Sequence, residues 1–147
     1  MARPSVEVTA SIDNTPEAVM IYIADVRNRP FYLPSLKSVS DIKPNPSGPG
    51  TTWKWTWVAL GMEFEGVGKC VKHEPGHLYS FQTKGGIAST WTYTAEPEGQ
   101  GTKLTIHVDY EVPERARPRL PADKVGDAMK KTEADRVIQN LKVILDR

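Results

Sequence analysis

Cysteine is almost missing from this sequence: Cys70 is the single thiol in 147 residues. An internal disulfide and a cysteine-rich zinc site are therefore excluded, and an unpaired thiol suits a reducing cytoplasm. Charge of one sign is lacking too. Lys and Arg number 19 against 18 Asp and Glu, a net charge of +1, which excludes a surface built to hold a polyanion, so nucleic acid is not an expected partner. Apolar runs are only a few residues long and no hydrophobic segment follows Met1. Neither an integral membrane segment nor a secretion signal is expected, and a cytoplasmic location follows.

What is there suffices for one domain spanning residues 1–147. The length lies at the mode for a compact unit, 39% of the residues are apolar, and a chain of this size buries about 68–70% of its unfolded surface. Val6, Val8, Ala10 and Ile12 alternate with Glu7, Thr9 and Ser11, the period of a half-buried strand. Asn14 or Thr15 then offers an N-cap, Pro16 suits a first helical turn, and Val19, Met20, Ile23 and Val26 recur at helical spacing. Asn28, Arg29 and Pro30 are expected to break that helix, after which Phe31, Tyr32, Leu33 and Leu36 form a second short helical turn resembling a lid or plug.

From Ser38 onward the pattern is of strands. Val39 and Ile42 mark one, closed by the breakers from Pro44 to Gly50; Thr51 to Leu60, Met62 to His73, His77 to Lys84, Ile87 to Glu96 and Thr102 to Val112 mark five more. Short turns between successive strands imply an antiparallel meander. A proline-punctuated link with Arg115, Arg117 and Arg119 leads into a long helix from Ala122 or Asp123 to Leu145, with an apolar stripe through Val125, Met129, Val137, Ile138, Leu141, Ile144 and Leu145. The fold class is α+β: a curved seven-stranded antiparallel sheet, two short helices between strands 1 and 2, and one long C-terminal helix to cover the apolar face.

Strand parity sorts the aromatics onto that face. Trp53, Trp55 and Trp57 leave one side of a single strand, Tyr79 with Phe81 and Trp91 with Tyr93 share a face on two others, and Leu104, Ile106, Val108 and Tyr110 follow on the last. Gly66, Gly68 and Cys70 have the same parity. The glycines remove side-chain volume from their strand, through a bend or to make room, and the cysteine reads as a small buried apolar group. Rings of this width with hydroxyl and indole donors either fill a core or line an apolar pocket with polar tips.

The order of elements, together with Asn14-Thr15-Pro16-Glu17-Ala18-Val19, Ala24-Asp25-Val26 leading to Phe31-Tyr32-Leu33-Pro34, Gly48-Pro49-Gly50-Thr51 and Gly101-Thr102-Lys103-Leu104-Thr105, resembles the START-related, pollen-allergen-like superfamily called SRPBCC. Its polyketide cyclase/dehydrase-like branch is the nearest match. The resemblance covers nearly the whole chain. It implies a helix-grip fold, in which the sheet wraps the C-terminal helix around a cavity for lipids, polyketides or other hydrophobic small molecules. Carried over by parity, Trp55, Trp57, Tyr79, Phe81, Trp91, Tyr93 and Tyr110 would line that cavity, with Met129 and Val125 contributing from the helix.

Carriers and enzymes share this superfamily, so the fold leaves catalysis open. A cyclase or dehydratase acting on an enolisable carbonyl needs inward groups that move protons. The inward positions offer mainly Tyr79, Tyr93, Tyr110 and Ser89; His77 starts a strand on the Tyr79 parity but reads first as a turn-flanking histidine, while Arg and the carboxylates fall mostly on the outward parity, as do His73 and His107. No catalytic set is assigned. His73 and His77 are four apart, but Pro75-Gly76 intervenes, so they share no helix face and no metal is expected. No cofactor is expected either. The expected partner is a hydrophobic small molecule, and a homodimer remains open.

Overall fold

The computed structural model describes residues 5–44, 49–59, 61–111 and 134–147. Val112, the arginines at 115, 117 and 119, Val125, Met129 and the first half of the expected long helix lie outside the described residues. The strands are β1 (Ser5–Ile12), β2 (Leu36–Lys43), β3 (Thr52–Ala59), β4 (Met62–Glu74), β5 (Leu78–Gly85), β6 (Ser89–Glu98) and β7 (Gly101–Tyr110). Helices α1 (Pro16–Ala24) and α2 (Arg29–Tyr32), with a 3-10 turn at Val26–Asn28 between them, connect β1 to β2, and α3 (Asp135–Leu145) follows β7.

All seven strands form one antiparallel sheet in the order β1-β7-β6-β5-β4-β3-β2. The first two strands of the chain thus occupy opposite edges, and the helical connection must cross the sheet, where α1 packs against β5, β6 and β7. The sheet is strongly curved. Trp57 on β3 and Trp91 on β6 are three strand spacings apart, about 14 Å in a flat sheet, yet their ring centroids stand 6.2 Å from each other. This is the helix-grip architecture.

Local chemistry explains the element ends. Thr15, not Asn14, caps α1 by accepting from the Ala18 amide at 3.2 Å. Asn14 instead donates to the Leu145 carbonyl at 2.9 Å, while the Asp13 amide donates to Asp146 Oδ1 at 2.8 Å, pinning the end of α3 to the β1–α1 corner. The expected break at Asn28-Arg29-Pro30 comes earlier. Asp25 ends α1 and caps the 3-10 turn through the Arg27 amide, and Pro30, compatible with a first turn because its missing N–H has no helical role there, begins α2. The loop expected from Pro97 to Gly101 contracts to a turn at Gly99-Gln100. β5 pairs with β6 only up to Thr94, so Pro97 has an open edge on one side and still faces Thr102 on the other.

The inward parity is continuous across the sheet. Val6, Ala10 and Ile12, Leu104, Ile106 and Val108, Tyr93 and Ala95, Tyr79 and Phe81, Phe64 and Cys70, and Trp53 and Trp55 are all buried. From α3, Val137, Leu141 and Leu145 complete the core at i, i+4 spacing. Ile144 falls off that stripe and is 39% exposed.

Candidate functional site

Four strands and the β1–β2 connection converge on a box of aromatic rings with Phe81 at its centre. Its ring centroid lies 5.3 Å from Trp53, 5.6 Å from Trp91, 6.2 Å from Tyr79 and 6.3 Å from Tyr93. Register brings them there: Phe81 faces Trp91 and Tyr79 faces Tyr93 across the β5–β6 ladder, at the distance where cross-strand rings interact. On the other flank, Trp53 and Trp55 face Gly68 and Gly66. A Cβ at Gly68 would collide with the Trp53 indole, 2.5 Å from Nε1, and one at Gly66 would stand 2.5 Å from Trp55 Cζ2. The glycines are thus the seats on which two indoles lie flat against the sheet.

The residues carried over from the resemblance fall into distinct surroundings. Tyr79, Phe81, Trp91 and Tyr93 form the box. Trp57 is half-buried beside Trp91. Trp55 and Tyr110 are buried on the same face, and the Trp55 Nε1 and the Tyr110 hydroxyl have no hydrogen-bond partner among the described residues. Burial also raises the pKa of Tyr110. Trp91 Nε1 donates to Ser89 Oγ at 3.1 Å, and Ser89 shares a hydrogen bond with Thr83. Met129 lies outside the described residues.

One assignment from parity is corrected. Between Cys70 and Lys72 the β4–β5 ladder skips a residue. Such a bulge reverses the alternation beyond it, so His73, expected outside, turns inward opposite Tyr79, with ring centroids 5.4 Å apart. The Cys70 thiol donates to the Lys72 carbonyl across the bulge at 3.7 Å, and burial raises its pKa. His77 is exposed at the turn, as the turn-flanking reading expects, with Nδ1 3.1 Å from the Ala95 carbonyl.

The residue at the aromatic box that sequence reasoning misses is Arg29. It is 1% exposed, and its guanidinium carbon stands over Phe81 at 4.2 Å, Trp53 at 4.6 Å and Tyr79 at 5.1 Å. Arg29 and Tyr32 are i, i+3 on α2 and both face the sheet, whereas Phe31 between them is 71% exposed. Tyr32 donates to the Tyr93 hydroxyl at 3.1 Å. Among the described residues, Nε, Nη1 and Nη2 of Arg29 are buried with no hydrogen bond of full geometry and no carboxylate pairs with the group, although the Tyr79 and Tyr32 hydroxyls stand close enough to interact with it. Burial alone would lower its pKa, but the phenols, Tyr79 first, outweigh this and raise it, so the group stays cationic. Burial conversely holds the phenols neutral: Tyr79 is pushed up to about 12, and Tyr32 and Tyr93 are also raised. An arginine abutting the apolar run from Pro30 to Pro34 is the signal that could have found it.

A family model for polyketide cyclase/dehydrase and lipid transport proteins matches residues 3–145. The chain belongs to that family. Solved structures share the fold of this family member at low identity. A START superfamily protein from Mycobacterium smegmatis superposes with a TM-score of 0.79 at 14% identity, with 96% of each chain covered. A protein from Thermus thermophilus gives 0.77 at 19%, with 95% of each covered. The Zhui aromatase/cyclase from Streptomyces sp. R1128 gives 0.72 at 12%, covering 96% of this chain and 92% of that one. No curated protein matches. The family lies within the SRPBCC superfamily, as the sequence motifs implied, and no helix among the described residues is long and apolar enough to cross a membrane.

Proposed function

We propose that this protein binds a hydrophobic small molecule, lipid-, polyketide- or aromatic-like, between the concave face of the sheet and the C-terminal helix. The observation that carries this reading is the combination on one face of a continuous aromatic wall with buried donors that have no partner among the described residues: the Trp55 indole N–H and the Tyr110 hydroxyl. A core that only had to fold would leave neither unpaired, because each unmet buried donor costs about 1–3 kcal/mol, whereas apolar walls with a few polar groups suit ligand recognition. The lone buried thiol is in keeping with a cytoplasmic location. Native mass spectrometry of freshly purified protein tests the reading, followed by identification of any released molecule. A bound apolar species, or saturable binding of an added one, is the expected result. A bare mass together with no saturable binding of aromatic or acyl probes overturns it.

A second reading is a cyclase- or dehydratase-type enzyme acting on an enolisable carbonyl at the same face. It is favoured by the cation of Arg29 among phenols held in their donating, neutral form, a setting suited to stabilising a developing enolate oxygen. Turnover of a model poly-β-ketone that drops at least tenfold in R29M and Y79F supports it. Turnover unchanged in both variants removes it.

A further inference from the structure

We propose that the ligand of this protein carries an anionic oxygen, a carboxylate or a comparably acidic enol or phenol, and that Arg29 is the residue that pairs with it. The inference rests on the binding reading above and specifies the chemical class of ligand.

Removing a guanidinium from water is strongly unfavourable unless a counter-ion and hydrogen-bond acceptors replace the solvent. Here the described residues supply no counter-ion, and none of the buried Nε, Nη1 and Nη2 has a hydrogen bond of full geometry to them. The rings of Phe81, Trp53 and Tyr79 attract the positive charge, but a ring face is a poor substitute for the oxygen lone pairs that N–H donors require. Asp25, four residues earlier, does not supply them, because its carboxylate is engaged by Arg27 at 2.8 Å on the surface. The Tyr79 and Tyr32 hydroxyls approach the guanidinium closely enough to offer it oxygen lone pairs, but neither meets full hydrogen-bond geometry at any of the three nitrogens and neither brings a negative charge. The hydroxyls of Tyr32 and Tyr93 bond to each other, and as neutral phenols they carry no compensating charge. A position that needed only to plug the box would be served at lower energetic cost by Leu or Met. A planar, permanently charged fork facing aromatic rings has the chemistry to grip the acidic end of an aromatic or acyl molecule whose body lies on the wall.

The test compares two probes that differ in charge, 2-naphthoate and 2-naphthamide, titrated calorimetrically into the full chain at pH 7.5. Wild-type protein is expected to bind naphthoate about tenfold or more tighter than the amide, the ratio that separates a charge-assisted from a neutral hydrogen-bonded contact. R29M is expected to lose that preference, with the two affinities within about threefold of each other. R29K, with a point charge and no fork, retains part of the preference. Equal affinities in the wild type, preference for the amide, or an R29M protein that still favours naphthoate overturns the assignment while leaving the binding reading intact. Absence of binding by either probe to wild-type protein overturns both. If circular dichroism shows R29M unfolded, the wild-type ratio and R29K decide.

Discussion

The contact between Trp53 and Gly68 permits a quantitative test of how tightly the aromatic wall is fixed. Gly68 does not have positive φ, so alanine meets no backbone penalty there and its effect is steric. The added methyl would lie inside the van der Waals envelope of the Trp53 indole, 2.5 Å from Nε1. The ring has little room to retreat, because it is 3% exposed and bounded by Arg29 at 4.6 Å and Phe81 at 5.3 Å. Overpacking costs about 1–3 kcal/mol, here toward the upper end, and the reduced entropy of the unfolded chain returns about 0.4–1 kcal/mol. The net expectation for G68A is about 2 kcal/mol of destabilisation, or a Tm lower by roughly 4–8 °C at this chain length. Introducing G68A into a W53F background relieves the collision, so its cost there should fall below about 0.5 kcal/mol. The resulting coupling of roughly 1.5 kcal/mol exceeds the additivity error of independent sites. Urea melts of the four proteins in the cycle measure it. Equal costs of G68A in both backgrounds would refute the flat seating of the indole, as would a Tm change under about 1 °C in the single variant.

Two further outcomes concern the phenols. Y32F removes the donor that Tyr93 accepts at 3.1 Å and is expected to destabilise by about 1–2 kcal/mol; Y93F should do the same, and the double variant should be no worse than either alone, whereas additive losses would show that the two hydroxyls act separately. Tyr79 is raised from its usual value to about 12 by burial, and Tyr93 is raised well above it. Folded-state values above the unfolded value mean that the native protein holds these protons longer, so stability is fully present below about pH 10 and falls as pH rises through about 10 to 12. Thermal melts at stepped pH read this directly, and a Tm that is flat from about pH 9 to 11.5 would contradict it.

The sheet is readable from sequence because strict alternation fixes parity residue by residue, and the inward set from Val6 through Tyr110 follows that rule. The rule fails where a residue is inserted into the ladder. Nothing in the side chains of Val71 and Lys72 announces a bulge, so parity alone puts His73 on the wrong face. Arg29 escapes for a different reason. Adjacent to Asn28 and Pro30 it has the local appearance of a solvated breaker, and only the pairing of β1 with β7 and of β2 with β3 makes the intervening segment cross the sheet and carry its side chain inward. That is a tertiary effect, invisible to local propensity. Trp53 shares the parity of Trp55 and Trp57 but is not among the residues carried over as ligand-lining, because parity alone does not say which of three indoles on one strand will stand beside a cation.

The cation and the rings that surround it come from separate stretches of chain. The wall is encoded in the pairing register of β3 to β6, while the charge is contributed by a short helical bridge that forms no part of the ladder. If the binding reading holds, ligand shape and ligand polarity are set by separate segments, and a different residue at position 29 would change the charge presented to the ligand while leaving the strand register that builds the wall in place.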